Sequence, residues 1–538
     1  MTAAESSEPP SGVPTAEEVK TPVLAPVVSI FVLVGVFLAV LMGAMDALVV
    51  ATVLPNIAGE LHQVNGVTFV VSAYLISSTI SIPIFARLSD ITSRRNVFLL
   101  GLSIFMAGSA LAGLSQNMAE LIAFRGLQGF GGGGVFPVAI AMITVLYPPE
   151  TRGRVTGLLS GAGGLAIVLG PLVGSYIVSV STWRWVFYIN LPFGILAMLV
   201  LLFAVGPLRP ALPGRFDTPG ALLLSGWVGS LMFALVQVSD AGWAWSDPRI
   251  VGLLAVAVAL FAVFLVFELR ATEPLVPFRL LKRKVIAASG GAMMFTGVVL
   301  SSVITFLSVF VGIVLLHNGP NSTADVRDMI YFVAIPMILG AAIAGQLSTR
   351  FPYRTVVAPG LAVAAVAALF LTNLTLTTPL WVLHFGFLPT GGLVLPLIPL
   401  GFGLGFSLSG TTIAVQNEAP MAEVGSAIGL TRFFQSLGGA LGISLLTVFQ
   451  TWRFQSLSAG ATTAAALEHA QVTAFNEVFL VLAVCIAVAF TFSLFLVGRV
   501  RRTPDSDPAA GSSSSGSPSP GGEPAPAALA ADAAKLSR

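Results

Sequence analysis

Fourteen apolar runs of about 20 residues or more, separated by short polar interruptions, restrict what this chain can fold into more than any other feature. A helix needs about 20 apolar residues to cross the hydrocarbon core of a bilayer. Only 9% of the 538 residues are charged, whereas soluble domains carry about 25%. The sequence therefore predicts an all-α integral membrane protein with 14 transmembrane helices. Their expected cores are 28–54, 67–88, 96–116, 119–146, 155–178, 184–206, 217–239, 249–270, 286–314, 328–349, 355–375, 394–416, 424–449 and 473–499.

Basic residues predict the orientation, because Lys and Arg collect on the cytoplasmic side of a membrane. With an even number of spans both termini lie on one side, and 20 of the 26 basic residues fall on that side. Four fall on the opposite side, and two lie within spans. We therefore expect a multi-pass protein of the cytoplasmic (inner) cell membrane with both termini cytoplasmic. The net charge of +2 gives no reason to expect a nucleic-acid partner.

Two stretches of the first half of the chain recur in the second half. Residues 85–97 align with 344–356, and residues 153–170 align with 425–442. A parallel repeat of this kind is typical of one large class of membrane transporters. It predicts two six-helix bundles in the same orientation, with the seventh and eighth spans inserted between them as linker helices.

The repeat and the composition together predict five units. The expected units are a disordered cytoplasmic tail over 1–25, a six-helix bundle over 26–206, two linker helices over 207–284, a second six-helix bundle over 285–500 and a disordered cytoplasmic tail over 501–538. Both tails are too poor in apolar residues to bury a core.

The two alignments differ in offset by 272 − 259 = 13 residues, which indicates an insertion between the eleventh and thirteenth spans. The segment 376–394 has the prolines, paired glycines and aromatic residues of an extended segment with turns. The topology places it on the outer face of the membrane. Its residues leave two interpretations open, an ordinary loop and a functional hairpin.

Six stretches carry motifs in a consistent register. They are MDALVVATVLP (45–55), ARLSDITSRR (86–95), LIAFRGLQGFGGG (121–133), GPLVG (170–174), WRWVFYINLP (183–192) and FDTPG (216–220). Together they resemble the motifs of the major facilitator superfamily, and in particular of its fourteen-helix drug:proton antiporter branch. The resemblance covers about residues 28–499. It implies the major facilitator fold and proton-driven export of drugs.

Asp46 is the one acidic residue that we place well inside a predicted span, where charged groups are costly and usually functional. At 1.5 Å per residue it lies ~12 Å from the outer end of its span, and Arg125 lies ~9 Å from the outer end of the fourth span. This similar depth favours Asp46 as the proton carrier, with Arg125 as its counter-charge and Gln128 nearby. The other interpretation is a static ion pair that holds two helices together.

Two further groups of residues have candidate roles. Arg432 lies within the thirteenth span with Gln435 one turn further on, and this pair either contacts the substrate in the cavity or packs helices. The resemblance implies that Asp90, Arg94 and Arg95 form a charge latch between the two halves at a cytoplasmic gate. A solvated loop is the alternative for these three residues.

The fifth span contains Gly170, Pro171 and Gly174, which break or soften a helix. In a transporter that alternates between two states they predict a hinge. The glycine runs at 131–134 and 161–164 are better explained by close helix packing.

Several function classes are excluded by what the sequence lacks. It has no Gly-Lys dipeptide and hence no phosphate-binding loop for ATP hydrolysis. The predicted interior offers one acid and two arginines, which is too little for an intramembrane enzyme. The four histidines lack metal-ligand spacing, so we expect neither a metal site nor a cofactor.

The best prediction is a proton-coupled secondary active exporter, an antiporter of hydrophobic or amphipathic drugs that works by alternating access. Its expected partners are protons, a small amphipathic substrate and membrane lipid. A largely apolar cavity with one acid would suit lipophilic cations. The insertion 376–394 also resembles a periplasmic hairpin of a few fourteen-helix relatives, the mycobacterial lipid and drug exporters. This resemblance implies the alternative, a proton-coupled exporter of lipids or glycolipids that uses the outer hairpin 376–394 and an extracytoplasmic lipoprotein acceptor.

Overall fold

The computed structural model describes residues 26–61, 67–206, 208, 214–239, 243–311, 322–375, 384–385, 388–389, 393–460 and 463–498. The predictions of disorder at 1–25 and 501–538 therefore concern residues outside the described part of the chain. Most of the insertion 376–394 also lies outside it.

The described residues form fifteen α-helices, because long apolar runs in lipid must satisfy their backbone hydrogen bonds within one segment. They are α1 Pro26–Glu60, α2 Val67–Ile91, α3 Arg94–Leu114, α4 Met118–Leu146, α5 Pro149–Val180, α6 Trp185–Tyr188, α7 Asn190–Ala204, α8 Thr218–Ser239, α9 Pro248–Arg270, α10 Lys284–Val309, α11 Ser322–Leu347, α12 Tyr353–Phe370, α13 Val394–Glu418, α14 Val424–Ser458 and α15 Ala464–Ser493. The short helix α6 continues into α7, so the described helices provide 14 candidate membrane spans. The predicted all-α membrane fold is confirmed.

Helix packing repeats between the two halves. In the first half α1 packs on α5 and α7, while α4 packs on α2 and α3. In the second half α10 packs on α14 and α15, while α13 packs on α11 and α12, in the same order. The halves meet through α5 with α11 and through α2 with α14, which are equivalent pairs under the repeat. The linker helices α8 and α9 pack on each other, and α8 contacts α2 and α14.

Small residues make both contacts between the halves possible. A Cβ atom on Gly157 of α5 would lie 2.9 Å from the Cα atom of Gly345 of α11. At the equivalent crossing, a Cβ atom on Gly429 of α14 would lie 2.3 Å from the Cβ atom of Ala86 of α2. The aligned sequence stretches thus supply matching close approaches of helix backbones.

The last two spans differ from their expected bounds. The helix α14 continues nine residues beyond the expected end at 449, and α15 begins nine residues before the expected start at 473. Both extensions carry charged and amide side chains next to the apolar run, in QTWRFQSLS (450–458) and AAALEHAQV (464–472), so hydropathy alone does not reveal them. The side chain of Thr463 caps α15 by accepting a hydrogen bond from the Ala466 N–H at 3.3 Å, and an ion pair between Arg453 and Glu477 joins the two helices.

The insertion contains a short antiparallel pair of strands, β1 His384–Phe385 and β2 Leu388–Pro389. His384 pairs with Pro389, and Phe385 pairs with Leu388. The described part of this segment is therefore a minimal hairpin.

Candidate functional site

A buried ion pair joins the first and fourth spans. Asp46 of α1 is 2% exposed and Arg125 of α4 is fully buried, and the Arg125 Nη1 donates to Asp46 Oδ2. The Arg125 Nε also donates to the Val70 carbonyl at 3.2 Å, and Nη1 donates to Gln128 Oε1 at 2.7 Å. The structure thus brings together the three residues that the sequence nominates for proton coupling.

The second carboxylate oxygen of Asp46 is held by two amide side chains. Gln128 Nε2 donates to Oδ1 at 2.8 Å, and Asn190 Nδ2 donates to the same atom at 2.9 Å. Both amides also donate to the Ser109 hydroxyl at 3.1 Å, and that hydroxyl donates to the Phe187 carbonyl at 2.8 Å. The carboxylate of α1 thus contacts side chains of α4 and α7, and Ser109 of α3 completes a polar network of four helices.

Sequence reasoning missed Asn190 and Ser109. Both are buried, and buried polar side chains in a membrane helix need partners. Asn190 stands within the motif WRWVFYINLP, where it follows Arg184 as an amide side chain among largely apolar residues, and this was the available signal. Ser109 gave no comparable signal, because serines are common in apolar spans.

A cavity of about 370 Å³ lies between the halves, next to this ion pair but separate from it. Tyr74 of α2 and Gly43 of α1 line the cavity, whereas Asp46 and Arg125 do not. The Arg125 guanidinium carbon lies 4.3 Å from the centroid of the Tyr74 ring, and the Tyr74 hydroxyl donates to the Gly43 carbonyl at 2.9 Å. Tyr74 therefore forms the wall between the ion pair and the cavity.

Arg432 is the one charged residue among the described residues that line the cavity. Its Nη1 donates to Gln435 Oε1 at 2.6 Å, and its guanidinium carbon lies 3.6 Å from the centroid of the Phe136 ring. Its Nε is buried without a hydrogen-bond partner in the described part of the chain. The acid that the sequence analysis expected in the cavity is not among its described lining residues, because three side chains from α4 and α7 enclose Asp46 behind Tyr74.

The halves are also joined at the end of the bundle where α2 ends and α14 begins, which we call the basic end. Asp90 accepts hydrogen bonds from the N–H groups of Gly425 at 3.0 Å and Ser426 at 2.7 Å, and from the Ser426 hydroxyl at 2.7 Å. A carboxylate at a helix N-terminus is stabilised by these unpaired N–H groups and by the helix dipole. Arg94 lies 3.5 Å from Asp90 and donates to the Met421 carbonyl at 2.7 Å.

Arg95 lies apart from this latch. Its Nη2 donates to the Leu202 carbonyl of α7 at 2.9 Å, because successive residues of a helix point in different directions. Of the three residues nominated for the gate, the structure brings together Asp90 and Arg94.

More polar contacts cross between the halves. Gln416 of α13 accepts a hydrogen bond from the Thr156 hydroxyl at 2.9 Å and donates to the Thr144 hydroxyl at 2.8 Å. The hydroxyls of Thr79 and Ser436 lie 2.6 Å apart between α2 and α14. The sequence analysis assigned no role to these residues.

The nominated hinge residues lie in an uninterrupted helix. α5 runs from Pro149 to Val180 with Pro171 inside it. Cβ atoms on Gly170 and Gly174 would lie 2.7 Å from the Leu48 Cβ and 2.1 Å from the Thr52 Oγ1 of α1. These glycines permit close packing of α5 on α1, and their role as a hinge stays a prediction.

The linker contributes a further buried acid that the sequence analysis missed. Glu268 of α9 is 2% exposed and accepts a hydrogen bond from the Val276 N–H. In the segment between α9 and α10, Arg279 forms an ion pair with Glu423, the residue directly before α14. The linker is thus tied to the latch at the basic end.

Comparison with known proteins identifies the family. The profile of the Major Facilitator Superfamily matches residues 36–443, which is more than half of the chain. The chain belongs to the major facilitator superfamily. Members of this superfamily are membrane transporters, so the prediction that the chain is not an enzyme is confirmed.

Two relatives of this superfamily member in Bacillus subtilis (strain 168) are named for drug transport. The chain is 34% identical to "Multidrug transporter protein MdtP" over 413 residues, which cover 77% of the chain and 73% of the relative. It is 32% identical to "Multidrug resistance protein 3" over 429 residues, covering 78% and 79%. The "Tetracenomycin C resistance and export protein" of Streptomyces glaucescens is 29% identical over 425 residues, covering 78% and 76%.

A solved structure shares the major facilitator fold. The human organic anion transporter MFSD10 (TETRAN) superimposes with a TM-score of 0.59 at 16% identity, covering 86% of this chain and 100% of that chain. At this identity the likeness concerns the fold alone.

Proposed function

We propose that the protein is a proton-coupled secondary active exporter of hydrophobic or amphipathic drugs, with Asp46 as the proton carrier. One observation carries the proposal. An acidic side chain lies in a four-helix polar network beside, but outside, a cavity between the two halves. Relatives named for multidrug transport and resistance support drug export at a general level.

Proton binding at Asp46 has a direct structural consequence in this proposal. Protonation removes the negative charge that faces Arg125, and a buried charge without a partner is costly. The network of Gln128, Asn190 and Ser109 must then rearrange. Because Arg125 lies against Tyr74, the rearrangement reaches the cavity wall.

The latch at the basic end supplies the second element of alternating access. Asp90 holds the start of α14 to the end of α2. Following the bias of basic residues, we place this end on the cytoplasmic side of the cell (inner) membrane, with both termini cytoplasmic. Opening of the latch would then expose the cavity to the cytoplasm. We assign Arg94 to the latch and keep Gly170, Pro171 and Gly174 as the hinge.

Export of lipids or glycolipids is the second candidate. The observation that favours it is the hairpin of β1 and β2 within the insertion 376–394. In that case the hairpin would hand the lipid to an extracytoplasmic lipoprotein acceptor. Deletion of residues 376–392 from the insertion 376–394 leaves the start of α13 at Val394 in place. If the protein exports lipids, the shortened chain should fold but lose export, whereas a drug exporter would tolerate the deletion.

The two candidates are separated in liposomes that contain the purified protein. A pH gradient is imposed, and movement of an amphipathic fluorescent drug is compared with movement of a fluorescent phospholipid. The proposal expects drug movement that stops when a protonophore collapses the gradient. Lipid movement without drug movement would favour the second candidate. Drug movement at the same rate with and without the pH gradient would contradict proton coupling.

A further inference from the structure

The cavity between the halves carries a positive charge without a carboxylate partner. Among the described residues, Arg432 forms no ion pair, in contrast to Arg125 behind the Tyr74 wall. The Arg432 Nη1 donates a hydrogen bond to Gln435 Oε1, and the Phe136 ring covers one face of the guanidinium. The Arg432 Nε has no hydrogen-bond partner in the described part of the chain. A buried donor without a partner costs free energy, so this group is prepared for an acceptor that the protein itself does not supply.

The repeat shows that this charge is particular to one half. Gly153 aligns with Gly425, which lies 272 residues later in the chain. The same offset of 272 residues pairs Ser160 of α5 with Arg432 of α14. It likewise pairs Gln435 with Gly163. All four of these residues line the cavity. One wall therefore carries a long cationic side chain and an amide, and the other wall carries small side chains.

The small wall leaves room for the body of a ligand. A Cβ atom on Gly163 would meet nothing within 4 Å, and the same holds for Gly43 of α1, which also lines the cavity. Most other lining side chains are apolar. The cavity therefore combines an apolar volume with one cationic group at its α14 wall, and a ligand of complementary shape has an apolar ring system and an anionic end.

We propose that Arg432 is the anion-recognising group of the transport cavity, and that the preferred substrates are amphipathic organic anions, such as aromatic carboxylates, rather than lipophilic cations. This inference rests on the proposed transport function and narrows its substrate class. The guanidinium can donate two parallel hydrogen bonds to a carboxylate. Phe136 holds its plane, and Gln435 fixes its position on α14. A cationic ligand would instead meet like charge at Arg432.

The test measures binding, so that it does not depend on proton coupling. The probes are three naphthalene compounds with one ring system and different ends: 1-naphthaleneacetate, 1-naphthaleneacetamide and (1-naphthylmethyl)trimethylammonium. Dissociation constants are measured by calorimetry with the purified full-length protein in lipid nanodiscs. We expect the carboxylate to bind about tenfold or more tightly than the amide, and the ammonium compound to bind most weakly.

Variants identify the residue responsible. Arg432→Gln should weaken carboxylate binding about tenfold while changing amide binding less than threefold, and Arg432→Lys should retain a preference for the anion. Arg453→Gln is the matched control, because Arg453 lies on the same helix, pairs with Glu477 and does not line the cavity. It should leave the order of the three ligands unchanged.

Two results would overturn the inference: tighter binding of the ammonium compound by the unaltered protein, or an undiminished carboxylate preference in Arg432→Gln. If Arg432→Gln does not fold, the order of the three ligands on the unaltered protein and on Arg432→Lys decides. A protein that prefers the carboxylate but shows no gradient-driven transport would contradict the proposed function and leave this inference standing.

Discussion

Among single residues, Asp46 and Arg125 form the buried ion pair at the centre of the candidate site. Both side chains are removed from water, and their attraction offsets a desolvation cost of several kcal/mol for each ion. Five hydrogen bonds from Arg125, Gln128 and Asn190 complete the arrangement. A static pair and a proton carrier would share this geometry, so stability and transport must be measured separately.

The energetic cost of the pair can be measured with two variants. Asp46→Asn keeps an acceptor for Gln128 and Asn190 but leaves Arg125 charged and buried, so we expect a loss of about 3 kcal/mol in unfolding free energy. Asp46→Asn combined with Arg125→Gln removes both charges and should recover most of that loss. Unfolding in mixed micelles with added denaturing detergent gives both values. If the double variant were as unstable as Asp46→Asn, the unpaired charge of Arg125 would not be the cause of the lost stability.

The charged residues of this site could be predicted from the sequence, for a physical reason. A charged residue in an apolar run is conspicuous because it is costly in lipid, so Asp46, Arg125 and Arg432 were visible. Tyr74, Ser109 and Asn190 are compatible with an ordinary span, and their importance arises only from which helices meet. The separation of Asp46 from the cavity depends on side chains of α2, α4 and α7 that pack together only in the folded protein, and no sequence pattern encodes this.

At the scale of helices, spans were predictable because bilayer thickness fixes their length. The bounds of α14 and α15 were not predictable in this way, because both helices continue through charged and amide residues past the apolar run. The capping Thr463 was the overlooked signal for the start of α15. The contact between Asp90 and α14 could be suspected only from the resemblance, since 335 residues separate Asp90 from Gly425.

The latch can be tested at the level of its helix. Asp90→Ala removes the acceptor for the first N–H groups of α14, and loss of a capping side chain costs about 1 kcal/mol or more. Amide hydrogens of Gly425 and Ser426 should then exchange about tenfold faster in mass-spectrometric measurements. Asp247→Ala is the control, because Asp247 caps α9 through the Arg249 N–H at 2.8 Å. Equal exchange in Asp90→Ala and the unaltered protein would contradict the latch.

Close helix approach gives a second test at this scale. In α4, a Cβ atom on Gly133 would lie 2.1 Å from the Ser78 carbonyl oxygen, whereas one on Gly126 would meet nothing within 4 Å. Backbone atoms cannot move aside cheaply, so Gly133→Leu should yield little monodisperse protein. Gly126→Leu should behave like the unaltered chain in size-exclusion chromatography. Similar yields of both would show that α2 and α4 do not pack this closely.

At the scale of the whole molecule, the repeat explains why contacts between the halves come in equivalent pairs. The α5–α11 and α2–α14 contacts use the aligned glycines Gly157 and Gly429. The Asp90 latch belongs to the α2–α14 contact, and in the α5–α11 contact Thr349 occupies the position aligned with Asp90. The segment between α9 and α10 reinforces the same end through the ion pair of Arg279 with Glu423. The fold is symmetric in its packing and asymmetric in its charges.

The bias of basic residues predicts the orientation of the molecule, and the orientation can be measured in cells. In a Cys485→Ser background, Gln116→Cys marks the turn between α3 and α4, and Arg350→Cys marks the basic end. A membrane-impermeant maleimide should label position 116 in intact cells and position 350 only after permeabilisation. The reverse pattern would place both termini outside the cytoplasm.

The proposed proton-coupled export requires that Asp46 carries the proton, and one pair of assays in proteoliposomes tests this most directly. Substrate exchange without a gradient is compared with accumulation driven by a pH gradient, for the unaltered protein and for Asp46→Asn. We predict that Asp46→Asn retains exchange at a comparable rate and loses gradient-driven accumulation. Accumulation in Asp46→Asn that equals that of the unaltered protein would reduce the Asp46–Arg125 pair to a structural contact.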